Sequence, residues 1–239
     1  MQIIPVIDLM GGIVVQAGGG DRQHYPPLQS VLTQHTAPEK VIADLRSVLP
    51  FEIIYIADLD GIFYQNPDIA LYKHLVTVFP EVVFWIDSGI KLRQDWQQLT
   101  KISGVKPVIA SETLDDLTLL QETKQSILSL DFQDECFLGK PEIWQYSEWW
   151  PETVIAMSLD SIGSQAGADI KLLQQIRDKR SDVNIIAAGG VRSLQDLLML
   201  EQKYVSGALV ASALHSGSLN FRMLNQSNKP CSPKGEQDL

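Results

Sequence analysis

The sequence predicts an α/β protein, a single (βα)8 TIM barrel with a twofold half-barrel repeat. Eight apolar, β-branched runs of strand length alternate with stretches of helical period along the 239 residues. The runs are continuously apolar rather than alternating, which is typical of parallel strands buried on both faces. Strand-end motifs of the first half recur in the second half in the same order. Together these observations favour a closed barrel made of two similar halves.

The predicted strands are short and rich in Val and Ile, the residues that favour strands. Each ends in a polar or glycine-containing turn, as expected where a strand of a βα unit is followed by its helix. They cover 2–8, 52–58, 82–87, 106–110, 126–131, 153–159, 183–188 and 206–211.

Amphipathic stretches fill the gaps between these strands and are interpreted as helices. Pro38 lies near the first turn of one helix, and Asn66 is a candidate N-cap for the next. A final helix is expected near 218–226. The doubly wound open sheet is the structural alternative, but "DLMGGIVV" leads from the first strand into another extended run rather than a helix.

Composition and charge narrow the range of partners. The chain has 45% apolar and 20% charged residues and a formal net charge of −10, which describes a globular protein with enough apolar material for a core. Nucleic acid and anionic membrane surfaces require a basic footprint, so the acidic balance argues against both as partners. A small anionic substrate is compatible with it, since a local site can oppose the overall charge.

The rest of the organisation is simple. We expect the barrel to occupy 1–224 and the polar segment 225–239 to form a mobile tail. Cys136 and Cys231 have neither zinc-site nor disulfide-framework spacing, and no metal site is expected. The sequence shows no signal-peptide pattern and no run long enough to span a bilayer. These features predict a cytoplasmic protein.

The internal repeat is clearest in two segments, "IDSGIKLRQD" and "AAGGVRSLQD". Aligning them pairs Gly89 with Gly190 and Lys91 with Arg192. The same register pairs two further strand-end residues, Ser111 with Ser212. The second, third and fourth strands therefore echo the sixth, seventh and eighth, although any two βα junctions share some likeness.

The active site of such a barrel lies at the carboxyl ends of its strands. Asp8 and Asp131 end the first and fifth predicted strands, which face each other across an eight-stranded barrel. Two opposed carboxylates can divide the work of general acid and general base if their surroundings separate their pKa values. A strand-end Asp also commonly caps a helix or turn, so this reading depends on both residues sharing one cavity. The remaining strand-end candidates are Asp58, Asp87, Ser111, Gly189, Gly190 and Ser212.

The stretch "AAGGVRS" is a candidate phosphate cradle. Gly189 and Gly190 allow close approach of the backbone, and the amides at the start of the next helix point toward an anion. Loops after the seventh and eighth strands commonly bind phosphate in this fold, so Ser212 in "ALVASALHSG" is expected to complete the cradle.

These residues resemble the histidine-biosynthesis (βα)8-barrel family, which contains ProFAR isomerase and the cyclase subunit of imidazole glycerol phosphate synthase. The resemblance covers roughly residues 1 to 220 and rests on "IIPVIDLMGGIVV", "IYIADLDGI", "SILSLD", "IIAAGGVRSLQDL" and "ALVASALHSG". Within the family, "IDL" is similar to the isomerase branch, whereas the cyclase favours "LDV".

The resemblance implies an enzyme, an aldose–ketose isomerase performing an Amadori rearrangement of an aminated phosphoribosyl substrate in histidine biosynthesis. It implies Asp8 as general base, Asp131 as general acid and no cofactor. The two half-barrels would hold the two phosphates of a bisphosphate substrate. The corresponding binding candidates are Gly89, Ser111 and Asp58 in the first half and Gly189, Gly190, Arg192 and Ser212 in the second.

Departures from the family pattern include the end of the third strand and the loop after the first strand. The third strand of the family ends in three glycines followed by an apolar residue and Arg, whereas this chain has "DSGIK". Asp87 beside a phosphate is repulsive unless it is protonated or paired, and Lys91 lacks the planar two-point contact of Arg. The loop "GGGDRQHYPP" adds Arg22, which is a candidate for meeting an anion unless the loop is a plain surface feature.

Two further hypotheses therefore stay open. One is a divergent paralogue that catalyses a lyase or condensation step on a phosphorylated substrate in the biosynthesis of a one-carbon carrier of the methanopterin or methanofuran type. The other is a non-catalytic barrel scaffold, against which the two opposed carboxylates argue. The expected partner is a phosphorylated small molecule, with the protein acting as a monomer or small homo-oligomer.

Overall fold

The computed structural model describes residues 1–16, 25–162 and 167–219. In these residues eight parallel strands form a closed barrel, which confirms the predicted fold. Each strand pairs with the next, and the last pairs with the first at Ile4 and Leu209. The barrel strands are β1 (Gln2–Met10), β3 (Ile53–Asp58), β4 (Val83–Asp87), β5 (Val105–Ala110), β6 (Ile127–Gln133), β8 (Thr153–Ser158), β9 (Asn184–Ala188) and β10 (Gly207–Val210).

Two short strands extend the first strand of each half into an antiparallel hairpin. β2 (Ile13–Val15) folds back on β1, and β7 (Cys136–Leu138) folds back on β6. The extended run after the first strand was predicted, whereas β7 was not. Its sequence gives little signal because "DECFL" has neither strand-like alternation nor the Asn or Gly of a tight hairpin turn.

Helices cover the outside of the barrel, and most follow the predicted stretches. One expectation was wrong in detail. The helix after Asn66 begins later, because the carboxylate of Asp68 accepts the amide of Leu71 and caps it. The helix expected near 218–226 lies almost entirely outside the described residues. The helices are α1 (Pro38–Val48), α2 (Leu59–Tyr64), α3 (Ile69–Val78), α4 (Arg93–Thr100), α5 (Thr118–Glu122), α6 (Pro141–Gln145), α7 (Ile170–Lys179), α8 (Leu194–Gln202) and α9 (Ser212–His215).

The apolar core has two layers. The larger layer packs the outer faces of the strands against the helices, and the smaller one fills the inside of the barrel. Ile127 belongs to the inner layer, and the strand period of two places Ser129 and Asp131 on the same inward side, closer to the carboxyl end. The inner wall therefore changes from apolar to ionisable at the end of the barrel where an active site is expected.

The remaining organisational predictions fall partly outside the described residues. The tail 225–239, the boundary at 224 and Arg22 all lie outside them. No helix in the described ranges combines the length and apolar character needed to cross a membrane.

Candidate active site

A cavity of about 690 Å³ opens at the carboxyl ends of the barrel strands. Asp8 from β1 and Asp131 from β6 both line it, so the structure brings the two predicted acid–base residues to one space. Two further carboxylates lie on its wall, that of Asp87 at the end of β4 and that of Glu112 just after β5. The inner end of the cavity is thus acidic in the described residues.

Asp131 is held by three donors. The Ser129 hydroxyl lies 2.6 Å from Oδ1, and Oδ2 lies 3.0 Å from the Ser111 hydroxyl and 3.2 Å from the amide of Glu112. Burial and, next, the charge of Glu112 raise the pKa of Asp131 to about 6, although the three donors oppose this shift. Asp131 therefore carries a proton for part of the time near neutral pH, as a general acid must.

Strand register places Asp8 close to the carboxyl end of β4. Asp8 pairs with Ala57 on β3, and Ala57 pairs in turn with Asp87 on β4. On its other side Asp8 pairs with Val15 in the hairpin, so its backbone is held between two strands. A side chain on so constrained a backbone has a fixed direction, which suits a group that must meet a substrate atom.

Asp87 is buried, with 6% of its surface exposed, and both of its oxygens accept hydrogen bonds. The Tyr55 hydroxyl donates to Oδ2 at 3.2 Å, and the Gly89 amide donates to Oδ1 at 3.1 Å. Burial and then the charges of Asp131 and Glu112 raise the pKa of Asp87 to about 7, against the opposing effect of the two donors.

Two lining residues that bear on these carboxylates were missed by sequence reasoning. Tyr55 lies within β3, and burial with the charge of Asp87 raises the pKa of its hydroxyl well above the ordinary value of 10. It therefore stays a hydrogen-bond donor. Its inward position follows the strand period from Ala57, a signal present in the sequence. Glu112 directly follows the strand-end Ser111 and could have been found by extending that candidate by one residue.

The opposite side of the cavity, formed by the ends of β9 and β10, has different chemistry. Gly189, Gly190, Arg192 and Ser212 all line it, and we call these four residues the second-half rim. Gly190 has φ +75°, and a Cβ there would lie 1.9 Å from the carbonyl oxygen of Gly167, so glycine is required. The rim joins backbone amides and a hydroxyl to the N-terminal end of α8.

Arg192 brings a cation to this rim. Its guanidinium pairs with Asp196, at 3.1 Å between Nη2 and Oδ1, and its side chain is 38% exposed. Asp196 also accepts the amides of Arg192 and Ser193 and so fixes the entry into α8. The pairing with Asp196 therefore orients the Arg192 side chain at the cavity edge and balances part of its positive charge.

Three of the predicted binding residues are not among the described residues that line the cavity. Asp58 caps α2 and accepts the amide of Asp68 and the hydroxyl of Tyr72, so its oxygens serve the fold. Ser111 contacts Asp131 and thereby acts on the site indirectly. Gly89 donates its amide to Asp87. The binding roles of these three residues, and of Arg22, stay predictions.

His215 also lines the cavity. Its Nδ1 lies 2.9 Å from the Ser30 hydroxyl, and burial lowers the pKa of its ring below the ordinary 6.5. The backbone of His215 accepts the amide of Val31. His215 therefore ties the segment after β2 to α9 beside the second-half rim.

Comparison with known proteins assigns the chain to a family. A family model described as histidine biosynthesis protein matches residues 2–220. An uncharacterized protein of Methanocaldococcus jannaschii is 31% identical over 224 residues, which are 92% of this chain and 96% of that protein.

Isomerases are among the other relatives. The 1-(5-phosphoribosyl)-5-((5-phosphoribosylamino)methylideneamino) imidazole-4-carboxamide isomerase of Methanocorpusculum labreanum is 24% identical over an alignment of 243 residues, which covers 93% of this chain and 97% of the relative with gaps included in the alignment length. The isomerase of the same name from Bacillus cereus is 22% identical over an alignment of 249 residues that covers 97% of this chain and 100% of the relative.

Proposed function

This chain belongs to the family of histidine biosynthesis proteins, and from that premise we propose that it is an isomerase that converts a phosphorylated aminoaldose into the corresponding aminoketose. The observation that carries the proposal is the pair of carboxylates, Asp8 and Asp131, on one cavity at the carboxyl ends of the strands. Low-identity relatives named as isomerases support the reaction class.

The reaction needs one proton donor and one proton acceptor, and the two carboxylates suit these roles. Asp131, with its pKa raised to about 6, gives a proton to the ring oxygen of the aminated sugar, and the ring opens to an iminium. Asp8 then removes the hydrogen from C2, and the resulting enaminol becomes the aminoketose when a proton returns to C1. Substrate and product are isomers, so the step balances without any further reactant.

The second-half rim is the proposed phosphate site. Gly189 and Gly190 bring backbone amides to the cavity wall, and Arg192 and Ser212 add a cation and a hydroxyl. Glycine-rich turns that lead into a helix are well suited to anions because their amides converge and the helix dipole is favourable. A phosphate held there positions the sugar toward Asp8 and Asp131.

The test is turnover of N-phenyl-5-phosphoribosylamine, a monophosphate, and of the bisphosphate substrate named for the isomerase relatives. Wild type is compared with Asp8→Asn and with Asp60→Asn, in which an amide oxygen can still accept the Gly11 amide. We expect the ketose product by NMR from at least one of the two substrates with wild type and Asp60→Asn, and turnover lowered about 10²- to 10⁴-fold in Asp8→Asn. Absence of turnover on both substrates in wild type, or full activity of Asp8→Asn, contradicts the proposal.

A second candidate is a different step, such as a lyase or condensation, on a phosphorylated substrate. The observation that favours it is the pair of carboxylates Asp87 and Glu112 on the wall opposite the second-half rim. Turnover without an isomeric product, still dependent on Asp8, would support this candidate. The open cavity argues against a scaffold, because a scaffold has no use for an accessible space lined with ionisable groups.

A further inference from the structure

The two halves of the barrel present different groups to the cavity at matching positions. We call Asp87, Gly89, Ser111 and Glu112 the first-half rim. Within the described residues, three members of the second-half pattern line the cavity while their first-half counterparts do not; the pairs are Gly190 and Gly89, Arg192 and Lys91, and Ser212 and Ser111. The residue two positions before Gly89 and Gly190 differs as well, with Asp87 in the position of Ala188.

The carboxylate of Asp87 accepts a hydrogen bond from the backbone amide of Gly89, the group that a bound anion would otherwise contact. Gly89 keeps the left-handed backbone of Gly190, with φ +70° against +75°. Its amide, however, donates to Oδ1 of Asp87 at 3.1 Å. Ala188 has no polar side-chain atom, so the corresponding amide of the second half meets no such internal acceptor from that position.

The other parts of the first-half rim are also engaged. The Ser111 hydroxyl lies 3.0 Å from Asp131 and 2.7 Å from the carbonyl oxygen of Leu138. Gln65 donates its side-chain amide to the carbonyl oxygens of Gly61 and Gly89, at 3.1 Å each, and closes the back of the Gly89 turn. No cation in the described cavity lining accompanies Asp87 at this end, where Glu112 and Asp131 are its charged neighbours.

We propose that Asp87 is a specificity-determining residue, whose carboxyl group occupies the Gly89 amide and thereby closes the first-half rim to phosphate. The substrate class is then a monophosphate whose phosphate lies at the second-half rim and whose far end carries no negative charge. This inference rests on the proposed function for its phosphate site, but the closure of the first-half rim is measured separately from it. It also separates this protein from relatives whose name specifies two phosphoribosyl groups.

Reciprocal substitution tests the inference, with inorganic phosphate as the probe and calorimetric titration as the readout. Asp87→Ala gives the first half the residue found in the second, and Ala188→Asp makes the opposite exchange. We expect one phosphate site in wild type, two in Asp87→Ala and none in Ala188→Asp. Asp87→Asn is the control for charge, because its amide oxygen can still occupy the Gly89 amide, and we expect it to keep a single site.

Affinity for ligands gives a second, graded readout. Ribulose 1,5-bisphosphate is expected to gain about tenfold or more in affinity on Asp87→Ala, since a like charge within a few ångströms is removed. Ribose 5-phosphate is expected to change little. Circular dichroism shows whether each variant is folded, and Asp87→Ala carries the test if Ala188→Asp fails to fold.

The outcomes separate the two proposals. Two phosphates on wild type, or an unchanged single site in Asp87→Ala, overturns the inference. No site in wild type but one in Asp87→Ala supports the closure by Asp87 and contradicts the phosphate site of the proposed function. No site in either protein overturns both.

Discussion

The hairpin turns that open the two halves of the barrel are anchored in the same way. In the first half the amide of Gly11 donates to the carboxylate of Asp60 at 2.6 Å. In the second half the amide of Asp134 donates to the carboxylate of Asp160 at 2.5 Å. Each contact joins the turn after one strand to the helical turn after the next barrel strand, so both halves keep one frame.

The turns after β4 and β9 repeat this agreement. Asp95 accepts the amides of Lys91 and Leu92, and Asp196 accepts those of Arg192 and Ser193. Capping of this kind fixes where the following helix begins. Matching contacts therefore hold the backbone of both halves in the same way, although their cavity-facing residues differ.

The halves differ where side chains face the cavity. Asp87 occupies the position in the first half that Ala188 occupies in the second. The Ser111 hydroxyl contacts Asp131, whereas the equivalent Ser212 lines the cavity. A repeated frame is thus kept while one rim presents glycines, a cation and a hydroxyl to the cavity and the other presents carboxylates.

Asp87→Asn should stabilise the protein at alkaline pH. The folded-state pKa of about 7 lies above the ordinary 3.8, so the contribution of Asp87 to stability is fully present below pH 3.8 and is lost as pH rises through 7. The loss approaches ~4 kcal/mol at pH 8 or above. Asn does not titrate, so the variant should exceed wild type in chemical denaturation at pH 8 but not at pH 4. Equal stabilities at pH 8 contradict this account.

Ser212→Ala should weaken binding of a phosphorylated substrate by ~1.5 to 3 kcal/mol, the usual range for a hydrogen bond to a charged group. The expected readout is a raised KM with a smaller change in kcat. An unchanged KM would contradict a phosphate site that includes Ser212.

Ser111→Ala, the matching change in the first half, should act on the general acid instead. Its hydroxyl lowers the pKa of Asp131, so removing it raises that pKa and moves the alkaline limb of the pH–rate profile to higher pH. Ser212→Ala should leave that limb in place. Identical pH profiles for the Ser111→Ala variant and wild type would remove the proposed link between this serine and catalysis.

Exchanging the residues of the two hairpin turns should change the stability of the fold. Gly11 and Gly12 have φ +60° and +78°, with open space where a Cβ would lie, while Asp134 and Glu135 have φ +50° and +59°. The left-handed backbone costs a non-glycine residue roughly 1–2 kcal/mol. Gly11→Asp with Gly12→Glu should lower the free energy of unfolding, and Asp134→Gly with Glu135→Gly should raise it by a smaller amount. Urea denaturation measures both, and shifts of the same sign would refute the backbone explanation.

The fold was predictable because its signal is local and repeated. All eight barrel strands lie where the chain has continuous apolar runs, and their ends differ from the prediction by two residues or fewer. The placement of Asp8, Asp131 and the second-half rim on one cavity followed from the rule that parallel strands end on the same face.

The partners of the carboxylates could not be predicted in the same way. The bond from Tyr55 to Asp87 depends on the register between β3 and β4, which individual strand patterns do not specify. Asp58 and Asp8 both end their predicted strands, yet the oxygens of Asp58 cap α2 because they meet the backbone amides there. Residues at equivalent strand ends thus differ in role according to the face on which they lie.

A crystal structure of the wild-type protein with ribose 5-phosphate tests the division of the two rims most directly. We expect one phosphate, contacting the second-half rim at Gly190 and Ser212, with the sugar directed toward Asp8 and Asp131. A phosphate bound at Gly89 in the first-half rim, or at both rims together, would contradict it.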